Sequence, residues 1–446
     1  MVVVPLIRNF QSGAVFAYCK GRAVTVNEYL RDVQRLADAL PERRFMLNLC
    51  VNRYYFSVAF AAALLRRQIS LLPPNQVPHT IKQIGDRYSG AYALADHDDA
   101  GLPIETFGYP ALPAGHDVQP VSIPAVPADQ VAVIVFSSGS TGQPVPHEKS
   151  WGALAAGVTA GADGPGARFP GVTVIGTVPP QHMYGLESTV LMVMQNGLTL
   201  HDGRPFYPAD ICGELAAVPR PRALVTTPFH LRTLTADATE APPVDFLLCA
   251  TAPLSPQLAA AAEKLFSAPL FEIYGCTEAG QVAMRRTVET PDWRLLPGLE
   301  LRQDGQDTWV TGGHVGTETP LHDVIEKTGL RQFRLHGRVA DVVNIAGKRT
   351  SLAFLNYHLN SIEGVRDGVF VMHGDDGSGM VRRLTAFVVA PGLGREALIE
   401  ALRQRIEDAF IPRPLHFVDA LPRNDTGKLS SEALSDFMGR AESGVG

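Results

Sequence analysis

The run Ser137-Ser138-Gly139-Ser140-Thr141-Gly142 has the composition of an oxyanion-binding loop. The apolar residues Val131 to Phe136 lead into it and predict a buried strand. Its small, hydroxylated residues let backbone N–H groups and hydroxyls converge on one point, which suits a phosphate. No Gly-Lys-Ser/Thr closes the run, so it is not a Walker loop, and taken alone it reads equally as a flexible Ser/Gly loop. His182 follows the apolar run Val172 to Val178 and Pro179-Pro180. Open α/β sheets bind ligands at such strand ends, which favours a role there over a merely structural histidine. Two more reactive groups close short polar turns: Glu278 after Leu270 to Tyr274, and Lys428 after Thr426-Gly427.

Four stretches in fixed order connect these groups. They are the Ser/Gly run, Glu272-Ile273-Tyr274-Gly275-Cys276-Thr277-Glu278, Gly337-Arg338-Val339-Ala340-Asp341 with Gly347-Lys348-Arg349, and Leu421-Pro422-Arg423-Asn424-Asp425-Thr426-Gly427-Lys428. Together they resemble the adenylate-forming superfamily of acyl-CoA synthetases, peptide-synthetase adenylation domains and luciferases, from about Val131 to the C-terminus. Gln181-His182-Met183-Tyr184-Gly185 adds a match to that family's Pro-x-x-His-x-x-Gly.

The resemblance implies a role for each residue. Ser137, Ser138, Gly139, Ser140, Thr141 and Gly142 would surround the phosphates of ATP. Ala250 and Thr251 would lie along the adenine, with Tyr274 stacking on it beside Gly275. Asp323 would accept the ribose hydroxyls, and Arg338 would contact the nucleotide. Thr277 would bond the α-phosphate and Glu278 would hold Mg²⁺, since a hard cation takes a carboxylate plus phosphate oxygens. His182 would border the acid's carboxylate, with Tyr184, Gly185, Ala252 and Cys276 shaping the acyl pocket; Tyr184 reads also as a plain core residue. Gly347 would line the thiol tunnel. Lys428 would neutralise charge on the phosphoryl oxygens as the acid attacks. Three places depart from the pattern: Val145 stands where the family has Lys, Leu321-His322 precedes Asp323 in place of Thr-Gly, and Ala340 occupies the pivot.

These groups need a frame. Thr25 and Glu28 predict a capping box for an amphipathic helix over residues 25–40. Phe45 to Val51, the apolar run Phe56 to Leu65 and Ile69 to Leu72 then read β-α-β, which predicts a parallel sheet covered by helices. Residues 108–130 read as an irregular connector, and Val282 to Leu335 as short antiparallel strands forming a small sheet or barrel. The expected fold class is α/β: a large N-terminal α/β domain (1–337) with a small β-barrel-like subdomain (281–337), a hinge at 338–341, and a small mobile α+β C-terminal lid domain (342–446).

Composition narrows the function classes. A chain of 446 residues exceeds one compact core. Its formal charge of -6 gives no basic field for nucleic acid. Cys19, Cys50, Cys212, Cys249 and Cys276 are scattered without a CxxC pair, which fits a reducing cytoplasm rather than a disulfide framework or zinc site. The N-terminus has no cationic region before an apolar one, and no apolar run is long enough to span a bilayer.

The expectation is an enzyme that uses ATP and Mg²⁺ to convert a carboxylic acid to acyl-AMP, releasing pyrophosphate. A pantetheine thiol, of CoA or of an acyl carrier protein, then takes the acyl group. The run Gln143 to Trp151 resembles small stand-alone ligases of aryl polyene or xanthomonadin-type pigment synthesis, which implies an aromatic acid such as a hydroxybenzoate. The alternatives are a fatty (hydroxy)acyl-CoA ligase, a luciferase-like oxidation, or a degenerate member that binds nucleotide or acyl ligand without catalysis.

Overall fold

The computed structural model describes the chain apart from residues 1, 12, 98–100, 112–120, 139–143, 163–170, 238–239, 306, 339–341, 346–347, 373–383, 425–428, 430 and 443–446. The helix Val26–Ala39 starts where the sequence places it. Thr25 accepts from the Glu28 N–H, and the Glu28 carboxylate takes the Thr25 N–H at 2.7 Å. Its buried face, Tyr29, Leu30, Val33 and Leu36, packs on the helix Arg53–Leu65. That second helix is apolar nearly all round and is buried accordingly. It touches strands of two different sheets, Phe45–Asn48 and Ile69–Leu72 on one side and Thr199–His201 on the other.

The first sheet has six strands. Five are parallel: Phe45–Asn48, Ile69–Leu72, Tyr92–Ala95, Thr106–Gly108 and Val131–Ser138. The sixth, Pro144–Ser150, runs antiparallel to Val131–Ser138 at the sheet's edge. The second sheet has eleven strands. Its centre is parallel: Leu270–Cys276, Phe246–Cys249, Arg222–Thr226, Thr173–Gly176, Thr199–His201 and Val15–Cys19. Beyond Leu270–Cys276 it continues antiparallel through Gly280–Arg285, Trp293–Leu295, Gln332–Arg338 and Asp323–Gly329.

Two features differ from the sequence reading. Most strands between 282 and 338 extend the second sheet instead of closing a barrel. Only Leu299–Asp304, Asp307–Gly312 and Val315–Leu321 form a separate three-stranded sheet. The connector over 108–130 contains a short strand, Ala125–Pro127, paired antiparallel with Val3–Pro5. Past residue 341 the chain forms a hairpin (Val342–Ile345 with Lys348–Ser351) and a three-stranded sheet (Asp367–Met372, Leu384–Val389, Leu415–Phe417). Helices Leu352–Asn360, Arg395–Arg403 and Ser431–Glu442 accompany them. This part has a core of its own around Leu355, Leu359, Phe370, Val388 and Leu398.

The parallel strands of the second sheet share one direction, so the turns after Gly176, Thr226 and Cys249 open on the same edge. Among the described residues no helix is long and apolar enough to cross a membrane, and all five cysteines are free thiols.

Candidate active site

Pro179 to Gly185 is a tight turn that begins a helix. His182 is its N-cap: the ring Nδ1 accepts the Tyr184 N–H at 3.2 Å. In the neutral ring this puts the proton on Nε2. Gly185 closes the motif sterically, because a Cβ there would lie 2.0 Å from the Pro179 carbonyl oxygen. Tyr184 is buried and its hydroxyl donates to the Thr226 carbonyl at 3.1 Å, so it forms part of the wall between two strand ends. The helix then widens into a π-turn over Leu186–Leu191, a rare form found often at functional sites.

The polar turn after Leu270–Cys276 is the tip of a hairpin with Gly280–Arg285. The Tyr274 hydroxyl donates to Asp323 at 2.6 Å, and the Tyr274 ring leans on Trp293 and Phe333. Asp323 lies directly opposite Arg338 in the neighbouring strand. Three residues assigned to the nucleoside by resemblance, spread over 65 positions, thus meet at one place. Thr251, in the turn after Phe246–Cys249, holds φ +86°, a left-handed conformation that a β-branched residue adopts only under constraint from its surroundings.

The strand Pro144–Ser150 brings in His147, for which the sequence offered no role, and Lys149, which the sequence places near enough to the Ser/Gly run to stand in for the lysine missing at Val145. Ser137, Val145, His147 and Lys149 project from one face of the hairpin, since Ser137 pairs with Val145 and positions then alternate. His147 Nε2 lies 2.9 Å from Ser137 Oγ and 3.6 Å from the Glu278 carboxylate. Burial would raise Glu278, but its own backbone N–H, His147, the Cys276 thiol and His322 together hold it below the usual carboxylate range. Glu278 is therefore an ionised, half-buried carboxylate beside the strand that feeds the Ser/Gly run. Cys276 is pushed up to about 12 by burial and stays a thiol.

Lys149 donates to the backbone carbonyl of Glu278. It faces Glu187, a carboxylate 3% exposed on the π-turn that accepts the Gln281 N–H. Gly280, at φ +78°, leaves the room: a Cβ there would meet Glu187 Oε1 at 2.7 Å. Lys149 and Glu187 thus clamp both sides of the turn that carries Thr277 and Glu278. Lys149 stands four residues, or about 13 Å, along the strand from Val145, so it is no substitute for a lysine beside the Ser/Gly run.

Gly139, Ser140, Thr141, Gly142, Gly347 and Lys428 lie outside the described residues, as do the side chains of Ser138 and Arg338. Ala250 and Ala252 flank Thr251 in its turn, Ala250 buried and Ala252 half-buried.

Parallel strand ends that gather a Ser/Gly loop strand, a histidine-capped helix, an aromatic-carboxylate pair and a carboxylate turn define a nucleotide-handling α/β enzyme. The chain belongs to the AMP-binding enzyme family, whose model matches residues 41–324. The 4-coumarate–CoA ligase of Halorhodospira halophila is 32% identical over 307 residues, covering 66% of this chain and 74% of that ligase. The anthranilate CoA ligase AuaEII, solved with anthranoyl-AMP, superposes with a TM-score of 0.80 at 13% identity over 99% of both chains. The o-succinylbenzoate CoA synthetase (MenE) of Bacillus subtilis, solved with ATP and a magnesium ion, gives 0.78 at 17% identity over 95% of this chain and 97% of that one.

Proposed function

We propose that the protein activates an aromatic carboxylic acid with ATP and Mg²⁺, forming an acyl-adenylate, and then passes the acyl group to a pantetheine thiol. The observation that carries this reading is the meeting of Glu278 with Ser137 and His147, which brings an ionised carboxylate to the stem of the phosphate-type loop. Tyr274 and Asp323, joined by a hydrogen bond, supply a ring and a carboxylate suited to adenine and ribose. Mg²⁺, held by Glu278 and phosphate oxygens, would supply charge neutralisation at the phosphates. The donor set fits: Glu278 offers one ionised carboxylate oxygen donor beside the stem of the Ser/Gly run. One carboxylate with ligand oxygens completing the shell is the ordinary magnesium arrangement.

In this reading His182, fixed by its cap bond, donates from Nε2 to the acid's carboxylate and orients it. Attack on the α-phosphate then expels pyrophosphate, and Lys428 neutralises the gathering charge. The thiol attacks the acyl carbon next and AMP leaves. The aromatic class and a CoA acceptor draw support from the names of the 4-coumarate and anthranilate ligases. A carrier-protein thiol remains the alternative acceptor from the Gln143 to Trp151 resemblance. ATP–pyrophosphate exchange across a panel of hydroxybenzoates, cinnamates and fatty acids tests the reading. Exchange is expected with aryl acids first; exchange with no acid, despite ATP binding, would favour the degenerate binder.

Two substitutions sharpen it. Val145 is 42% exposed beside Ser137 on the site's face, where a lysine would add one charge near the pyrophosphate. A partly solvated contact of about 1 kcal/mol predicts that Val145→Lys lowers the KM for ATP several-fold and leaves the KM for the acid alone. An unchanged KM for ATP would mean the loop does not present the β- and γ-phosphates to this strand. For Glu278→Gln, a neutral amide is the poorer ligand for a hard cation, so half-saturation with Mg²⁺ should rise about tenfold. Superimposable magnesium titrations of variant and parent would remove Glu278 from the metal's shell.

A further inference from the structure

Two arginines and one aspartate join the large α/β body to the C-terminal part of the chain. Asp367 opens the strand Asp367–Met372 of the C-terminal sheet. Arg423 grips it with both ends of the guanidinium, Nε to Oδ2 at 2.6 Å and Nη2 to Oδ1 at 2.8 Å. Arg232, on the helix Pro228–Asp237 of the large body, reaches Asp367 Oδ1 at 3.5 Å. All three side chains are largely buried, at 23, 15 and 13% exposure for Arg232, Asp367 and Arg423.

We infer that Arg232, Asp367 and Arg423 form a latch that holds the C-terminal lid in the orientation used for acid activation. Arg423 makes an isolated antiparallel bridge with Leu429, so both ends of residues 424–428 start from the gripped arginine. Leu429 of that bridge directly follows Lys428 in the sequence. Docking Asp367 on Arg232 therefore sets the base of the Lys428 loop against the helix that follows Arg222–Thr226, the strand whose Thr226 carbonyl holds Tyr184. The two bonds within the lid are short and two-pronged, which makes them the lasting part. The 3.5 Å contact from Arg232 is longer and runs between lobes, so it is the part that can open when the lid turns. Asp367 also shields two guanidiniums from each other, so its loss adds repulsion to the lost contact.

The inference rests on the ligase reading above, and the test keeps the two apart. Arg232→Met, Arg232→Lys and Asp367→Asn are compared with the parent in three measurements. The first is hydrogen exchange over residues 228–237 and 365–372, which needs no substrate. It should rise in Arg232→Met and Asp367→Asn in both segments, and no change in either segment overturns the latch. The second is ATP–pyrophosphate exchange, expected to fall about tenfold in Arg232→Met and more in Asp367→Asn, with Arg232→Lys keeping most of the rate. The third is thioester formation from preformed acyl-adenylate and coenzyme A, expected to hold or rise. An equal fall in both half-reactions identifies a merely structural role and overturns the latch. A parent that exchanges with no acid refutes the ligase reading instead, and hydrogen exchange alone then decides whether the contact holds the lid.

Discussion

Replacing Lys428 with Ala is expected to slow acyl-adenylate formation by a few hundredfold while the protein stays folded. The acid's carboxylate and the α-phosphate are both anions, and their approach concentrates charge on the phosphoryl oxygens. A charge-assisted contact formed fully only in the transition state is worth roughly 3–4 kcal/mol, which is where the few hundredfold comes from. Lys428 follows Thr426-Gly427 next to Leu429, whose backbone bridges Arg423. The bridge fixes Leu429, the residue next to Lys428, against Arg423. Thioester formation from preformed acyl-adenylate places no new charge on phosphorus, so it should fall far less. Near-parental ATP–pyrophosphate exchange by Lys428→Ala would take the residue out of the chemistry. Loss of both half-reactions with a lowered melting temperature would point to folding.

Much of the frame was legible because its signals are local. Thr25 and Glu28 sit three residues apart, and their capping box forms with both bonds. The apolar helix ending at Leu65 and the short strands around it carry β-α-β periodicity within a single stretch. The turn from Pro179 to Gly185 also shows why its spacing matters, since Gly185 lies on the Pro179 carbonyl. The strand Pro144–Ser150 was hidden by its composition. Pro144 and Pro146 and the charged residues after them resemble a loop, yet an edge strand tolerates proline because one side of its backbone has no partner to lose. His147 gained meaning only with that strand, and Lys149 exchanged a possible phosphate contact for a structural one, since alternation turns both toward the turn that carries Glu278.

Glu187 was illegible for a different reason. It lies 38 residues from Lys149 and 93 from Gly280, on a π-turn that no helical period would predict. The same holds for the antiparallel extension of the second sheet. Strands over 282–338 alternate as a small barrel's would, and what decides between the two is pairing of Gly280–Arg285 with Leu270–Cys276. Pairing across a tight turn is a matter of register, which the hydrophobic pattern alone leaves open.

Lys149→Met is expected to destabilise the protein strongly at alkaline pH and weakly at acid pH. Burial lowers Lys149 from its ordinary value, opposed by Glu187, Cys276 and Glu278. Burial raises Glu187 from 4.5 to about 7, opposed by Lys149 and the Gln281 N–H. Both partners are thus shifted toward their neutral forms, so desolvation outweighs their attraction. The unfolded chain releases the Glu187 proton near 4.5, whereas the folded protein keeps it to about 7. Between these values the folded state binds more protons. Its contribution is therefore full below 4.5 and is lost as pH rises to about 7, a loss of roughly 3 kcal/mol over that range. Without Lys149 the folded carboxyl should titrate higher still, and the loss should continue past pH 8. Leaving one charge of a buried pair alone typically costs about 3–5 kcal/mol, against little where the carboxyl is protonated. Urea unfolding near pH 5.5 and near pH 8.5 measures both ends, and equal losses at the two would show that Lys149 acts through its bond to the Glu278 carbonyl alone. Adding Glu187→Gln to Lys149→Met removes the orphaned charge, and most of the alkaline stability should return. Its magnesium dependence should stay impaired, because the Glu278 carbonyl still lacks its donor and the turn that carries Thr277 and Glu278 has lost one of its two holds.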